Sequence, residues 1–206
     1  MLPTILRRSL VGALACLCVA AKPPKKGKIQ TMGVVKRVET FKTIGDVKLK
    51  LHIYEKEDRD LTKPAPVAVF FFGGGWVGGS PGQFFHHCEH LASKGMVAIS
   101  AEYRIAKKHK TTPFECVQDG KSAVRWVRAN AKRLGIDPKR VVAGGGSAGG
   151  HVGACTGVIK KHEEPGEDLT ISSVPDAMVL FNPVIDTTEK GYGANKVKGR
   201  ETEISP

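Results

Sequence analysis

Gly145-Gly146-Ser147-Ala148-Gly149 places one serine in a pentapeptide of the form G-x-S-x-G. In a chain with 24 glycines the form alone is weak, and its flanks give it weight. It follows the short apolar run Val141-Val142-Ala143-Gly144 and precedes a small, apolar stretch from His151 to Lys160. That is a strand-to-helix turn, the setting in which a serine hydroxyl is held out as a nucleophile. Such a serine sits at strained backbone angles, and bulky neighbours would clash, which is why glycines flank it. The helix start behind it aims backbone N–H groups at any developing anion. A phosphate-binding turn is the competing reading. A P-loop would need a Lys-Ser/Thr ending, which is absent, whereas Gly144–Gly149 does also fit G-x-G-x-x-G.

The second chemical element is Phe72-Gly73-Gly74-Gly75-Trp76. A nucleophilic serine attacking an acyl carbon creates an oxyanion, which preorganised N–H groups must stabilise. A glycine run lets backbone amides come that close. It directly follows Val67–Phe72, the most hydrophobic run of the chain, and the C-terminal ends of such strands are where α/β sheets bind ligands.

The elements that position these residues follow from hydrophobic periodicity. Val34–Phe41 and Val47–Tyr54 read as an antiparallel hairpin around Ile44-Gly45-Asp46, the second strand alternating strictly. Val67–Phe72, Met96–Ala101, Val141–Gly144 and Asp176–Phe181 read as buried strands. Helices are expected over Phe84–Ser93, over Cys116–Leu134, where Gly135-Ile136-Asp137-Pro138 ends it, and over His151–Lys160. Residues 186–206 are polar and Gly-rich. Alternating strands and helices of this kind give a mostly parallel sheet flanked by helices, an α/β fold.

The net charge of +12 suggests nucleic acid, but its distribution argues otherwise. Eight cations (Arg7, Arg8, Lys22, Lys25, Lys26, Lys28, Lys36, Arg37) precede the first acid, Glu39, which leaves +4 for the rest. Without a clustered basic patch, no nucleic-acid partner is expected. Arg7-Arg8, the apolar stretch Leu10–Val19 and the small residues Val19-Ala20-Ala21 form the three-part pattern of a signal peptide over residues 1–21, so the protein is expected to be secreted or periplasmic. A membrane anchor results only if that segment stays uncleaved. Residues 22–33, rich in Lys, Pro and Gly, read as a flexible linker, and 34–206 as the domain. Past Ala21 only Cys88, Cys116 and Cys155 remain, so a disulfide framework is not the source of stability. The cluster His86, His87, Cys88 and His90 lacks zinc-ligand spacing, and neither metal nor cofactor is expected.

Taken together, Gly73-Gly74-Gly75-Trp76, Ala101-Glu102-Tyr103-Arg104, Asp119 with Ala123–Val127, Gly135–Arg140 and Gly146–His151 resemble, in order and spacing, the α/β-hydrolase superfamily. The branch is the hormone-sensitive-lipase-like one with its bacterial acetyl- and feruloyl-esterase relatives, over roughly residues 34–206. The resemblance implies a carboxylic-ester hydrolase working through an acyl-enzyme, with Ser147 as nucleophile and the amides of Gly73, Gly74 and Ala148 as the oxyanion hole. It implies an ester substrate, small or linked to polysaccharide, and structural roles for Tyr103, Arg104 and Asp119. Two positions depart from the family pattern: Phe72 stands where His is usual, and Gly146 where Asp is usual. The family order is Ser, then Asp or Glu, then His. No histidine follows His162, so the triad acid and base are not expected in this chain, which reads as the N-terminal part of the domain, lacking its C-terminal strands. Asp186 comes one strand too early to be the acid. His151 is expected to pack, and His86 or His87 to approach the site rim at most. The alternatives are a catalytically inactive hydrolase-like binding protein and a dipeptidyl-type serine peptidase.

Overall fold

The structure is a computed structural model and describes residues 33–206. The signal peptide expected over 1–21 and all of the 22–33 linker except Gly33 lie outside the described residues. Gly33 itself accepts a hydrogen bond from the Glu57 amide at 2.9 Å.

Six strands form one sheet. β1 (Val34–Ile44) and β2 (Val47–Lys56) are the expected hairpin, and β3 (Ala65–Phe71) and β4 (Val97–Ala101) follow. β5 (Ile136–Gly146) and β6 (Ala177–Phe181) complete the sheet, in the order β1-β2-β4-β3-β5-β6. β1, β2 and β4 pair antiparallel, whereas β4, β3, β5 and β6 are mutually parallel. β3 is central, and its alternation serves two layers. Val67, Val69 and Phe71 face one hydrophobic cluster while Ala68 and Phe70 face the other. Burying each large side chain contributes roughly 1.5–3 kcal/mol.

One layer is α3 (Pro113–Ala129) with α5 (Ala148–Val158); the other is α1 (Phe85–Ser93), entered through a 3-10 turn at Pro81–Phe84. Short helices at α2 (Ala106–His109), α4 (Ala131–Leu134) and α6 (Ala194–Val197) occupy the connections. α3 starts three residues before the expected Cys116. Thr112 and Glu115 form a capping box, and Pro113 fills the first helical position, where its missing N–H costs nothing. The expected single helix also breaks at Asn130, and Gly135 closes α4 at φ 58°. β5 likewise begins earlier than Val141. Ile136 pairs with Ala65, and a register shift before Val67 lets Asp137–Arg140 bulge from the ladder.

Asp176–Phe181 is a strand but not a buried one. β6 is the edge of the described sheet, and Val179 and Phe181 are 44% and 41% exposed. The 186–206 segment folds back onto the domain. Val197 and Ile204 are buried against Phe114, Val117 and Cys155.

A buried ionic cluster ties three parts of the chain together. Asp119 on α3 accepts from Lys42 Nζ at 2.7 Å, from the Arg104 amide at 2.9 Å and from both Arg104 Nε and Nη2 at 2.8 Å. Lys42 also donates to Ser122 Oγ at 2.9 Å and Glu164 Oε2 at 2.8 Å. β1, the segment after β4 and α3 thus share one carboxylate, and Glu164 of the 160s loop accepts from both of its cations. Asp119 and Arg104 have the anchoring role expected of them.

Candidate active site

Ser147 follows the last residue of β5 and caps α5, at φ 53° and ψ −121°. A non-glycine residue at those angles is strained by roughly 1–3 kcal/mol and persists only where its surroundings over-determine it. Here its amide donates to Phe181 O at 3.0 Å, and its carbonyl accepts from His151 N at 3.0 Å and Val184 N at 3.3 Å. The flanking glycines are required by close approach. A Cβ on Gly145 would lie 2.3 Å from Phe71 O, and one on Gly149 only 2.1 Å from Phe71 O and 2.3 Å from Phe72 O. The elbow is therefore pressed against the end of β3, from which the glycine loop springs.

In that loop Gly74, Gly75 and Trp76 have φ of 141°, 61° and 60°. The loop folds back on itself there, the Val77 and Gly78 amides both donating to Gly74 O at 3.1 Å. Gly73 departs from expectation. Its amide donates to Gln83 Oε1 at 2.9 Å while Gln83 Nε2 donates to its carbonyl at 3.0 Å, so the N–H expected to face an oxyanion is already engaged. The amides of Gly74, Gly75 and Ala148 have no acceptor among the described residues. Gly73 instead packs against the elbow, where a Cβ would lie 2.8 Å from Gly146 O and 3.4 Å from Ser147 Cβ. Gln83 carried no sequence signal: a glutamine in a 3-10 turn belongs to no motif.

Phe72, where the family pattern has His, stacks on Tyr103 with ring centroids 4.2 Å apart, and Tyr103 Oη donates to Phe72 O at 2.6 Å. The loop is thus held by Tyr103 and by Gln83 on adjacent residues.

His151 is fully buried, and its Nε2 donates to Ile204 O at 2.7 Å. Its ring meets Trp76 edge-on at 5.0 Å. It therefore packs, as expected, and joins α5, the glycine loop and the 201–204 turn. Desolvation lowers its pKa to about 4, against the opposing pull of the Ile204 carbonyl. The unfolded chain therefore binds a proton near pH 6.5 that the folded chain refuses until about 4. The resulting stability is complete above pH 6.5 and is lost as pH falls toward 4, by about 3 kcal/mol. Urea denaturation at pH 7 and pH 4.5 should show this loss, and His151→Gln should remove most of its slope.

The cleft beside Ser147 is lined by Pro183, Val184, Ile185, Asp186, Gly191 and Tyr192. No histidine lines it among the described residues. His86 and His87 instead border an apolar groove between α1 and the face of β5 and β6, with Phe70, Val142, Val179 and Phe181. Asp186 borders the Ser147 cleft, but its carboxylate accepts from Thr188 N at 2.8 Å and meets no histidine among the described residues. Ser147 and Gly73 of the glycine loop are brought together; among the described residues an acid–base pair is not.

Residues 51–198 match the BD-FAE family. The chain belongs to the BD-FAE family. Its α/β-hydrolase fold is shared with Thermogutta terrifontis esterase 2. The apo form of that enzyme superposes with a TM-score of 0.79 at 43% identity, covering 86% of this chain and 67% of that one. Its butyrate-bound form gives 0.73 at 46% identity, covering 80% and 58%. Among sequence relatives, esterase LipC of Mycobacterium tuberculosis is 38% identical over 109 residues, or 52% of this chain and 26% of that one. The probable carboxylic ester hydrolase LipM of the same organism is 34% identical over 141 residues, or 67% and 32%. The chain thus spans about a quarter to a third of these mycobacterial relatives and about two thirds or less of the solved esterase.

Proposed function

We propose that the chain carries the nucleophile side of a serine carboxylic-ester hydrolase. The observation that carries this reading is the strained Ser147, fixed at the head of α5 beside unengaged amides of Ala148, Gly74 and Gly75. Ser147 Oγ attacks the ester carbonyl, and these amides stabilise the oxyanion. The alcohol then leaves, and water hydrolyses the acyl-enzyme. Gly73, expected among the donors, supports the loop instead. Support also comes from relatives. Thermogutta terrifontis esterase 2 has been solved phosphorylated by paraoxon, at 43% identity, and bound to butyrate. We assign the acid and base of the triad to no described residue. The export reading of residues 1–21 belongs to the same proposal and makes the site extracytoplasmic.

A fluorophosphonate probe tests it. Intact-mass and peptide mapping should place a single label on Ser147, and Ser147→Ala should abolish it. A label that persists in that variant, or one that falls on another residue, sinks the reading.

A further inference from the structure

Ser147 opens onto a cleft of about 350 Å³ whose remaining walls come from the segment after β6. Pro183, Val184 and Ile185 supply an apolar strip, and Tyr192 lines the same cleft. A Cβ built on Gly75 would lie 3.2 Å from the Tyr192 hydroxyl and within 4 Å of nothing else outside its chain neighbours. Tyr192 therefore reaches from its own loop to the glycine loop, and its ring centroid lies 5.9 Å from that of Trp76.

The backbone fixes where this ring stands. The Tyr192 amide donates to Asp186 O at 2.8 Å, and the Gly191 amide to Thr188 O at 2.9 Å. On one side a Cβ at Gly191 would fall 2.0 Å from Asp186 O; on the other, a Cβ at Gly193 would fall 2.6 Å from Trp76 Cζ3. The main chain beside Tyr192 is packed without slack, whereas the side chain is 53% exposed and buttresses no core. A large aromatic held at a fixed place, yet contributing little burial, is free to serve the cleft. The charge on this wall is Asp186, whose carboxyl is held below its usual range by the Thr188 hydroxyl and amide. It repels a second anion.

We infer that Tyr192 is the specificity-determining residue for the acyl group: its ring walls the open cleft on the glycine-loop side, so that short, uncharged acyl chains lie along Pro183–Ile185 and longer ones meet it. This rests on Ser147 being the nucleophile. Truncating the ring lengthens the cleft toward the glycine loop and frees the space beside Gly75, the loop residue that the Tyr192 hydroxyl approaches.

The test uses n-alkylboronic acids, whose boron accepts a bond from Ser147 Oγ, the hydroxyl proton passing to solvent, to give a tetrahedral boronate. Dissociation constants for ethyl- and octylboronic acid are measured by calorimetry on the full chain and on Tyr192→Ala and Tyr192→Phe. The unaltered protein should favour the ethyl compound, and Tyr192→Ala should shift the octyl-to-ethyl ratio by about tenfold or more, with Tyr192→Phe within about twofold of the unaltered protein. An unmoved ratio in Tyr192→Ala overturns the inference. So does a Tyr192→Phe shift as large as that of alanine, because the hydroxyl would then decide. Absence of a tetrahedral boron NMR signal that Ser147→Ala removes sinks the nucleophile reading and this inference with it; a signal with an unmoved ratio sinks the inference alone.

Discussion

Asp119→Ala should lower the melting temperature by roughly 10 °C or prevent folding altogether, as read by thermal circular dichroism. Asp119 is fully buried and is the common acceptor for Lys42 and Arg104, both themselves buried. Removing it leaves two buried cations without the carboxylate they share. Breaking a buried pair from one side costs about 3–5 kcal/mol, and each kcal/mol is worth about 2–4 °C in a domain of this size. Glu164 offsets part of the loss, since it already accepts from Lys42 at 2.8 Å and from Arg104 at 3.3 Å, but it is held only on the 160s loop. The Lys42→Met, Asp119→Leu, Arg104→Met triple replacement should recover much of the stability, because an apolar cluster needs no counter-charge. A melting point for Asp119→Ala within about 2 °C of the unaltered protein would contradict this account.

Gly149→Ala should slow fluorophosphonate labelling of Ser147 by about a hundredfold while the chain stays folded at 20 °C, the cost of misplacing a reacting group by about 1 Å. The added methyl would fall 2.1 Å from Phe71 O and 2.3 Å from Phe72 O, so backbone, not a flexible side chain, would have to yield. Either α5 retreats and takes Ser147 with it, or the end of β3 retreats and takes the glycine loop. Both separate nucleophile from oxyanion donors. The stability loss should be about 1–3 kcal/mol, typical of overpacking, so activity falls far more than stability. Gly166→Ala is a control for backbone strain alone, since its φ of 83° disfavours alanine while no atom lies within 4 Å of its Cβ position and it is remote in sequence from the site. Equal labelling rates for Gly149→Ala and the unaltered protein would sink the claim.

The elbow and the glycine loop were legible because steric need leaves a residue-level mark. Where two backbones touch only glycine fits, and Gly145, Gly149 and Gly73 are found where β3, β5 and α5 meet. The central strand was legible for a similar reason, as both of its faces are buried and its apolar run is continuous. Other features left no such mark. An apolar run reads the same whether one or both of its faces are covered, so Asp176–Phe181 promised a buried strand, whereas Val179 and Phe181 are exposed in the described sheet. The identity of the donor amides was hidden as well. Every residue but proline carries an N–H, and whether Gly73's is free depends on Gln83, ten residues on. Ile204 lies in a polar, Gly-rich segment with no periodicity, yet it is buried and its carbonyl holds His151. Short-range pattern does not encode such long-range docking.

The amide of Ser147 is held by Phe181, the last residue of the edge strand β6. Local opening energies in one protein run from near zero up to the global value. The strained serine therefore persists for as long as its least secured neighbour stays docked. Each detachment of β6 would relax the elbow toward unstrained angles, making the working conformation a matter of lifetimes at that junction as well as of packing in the centre.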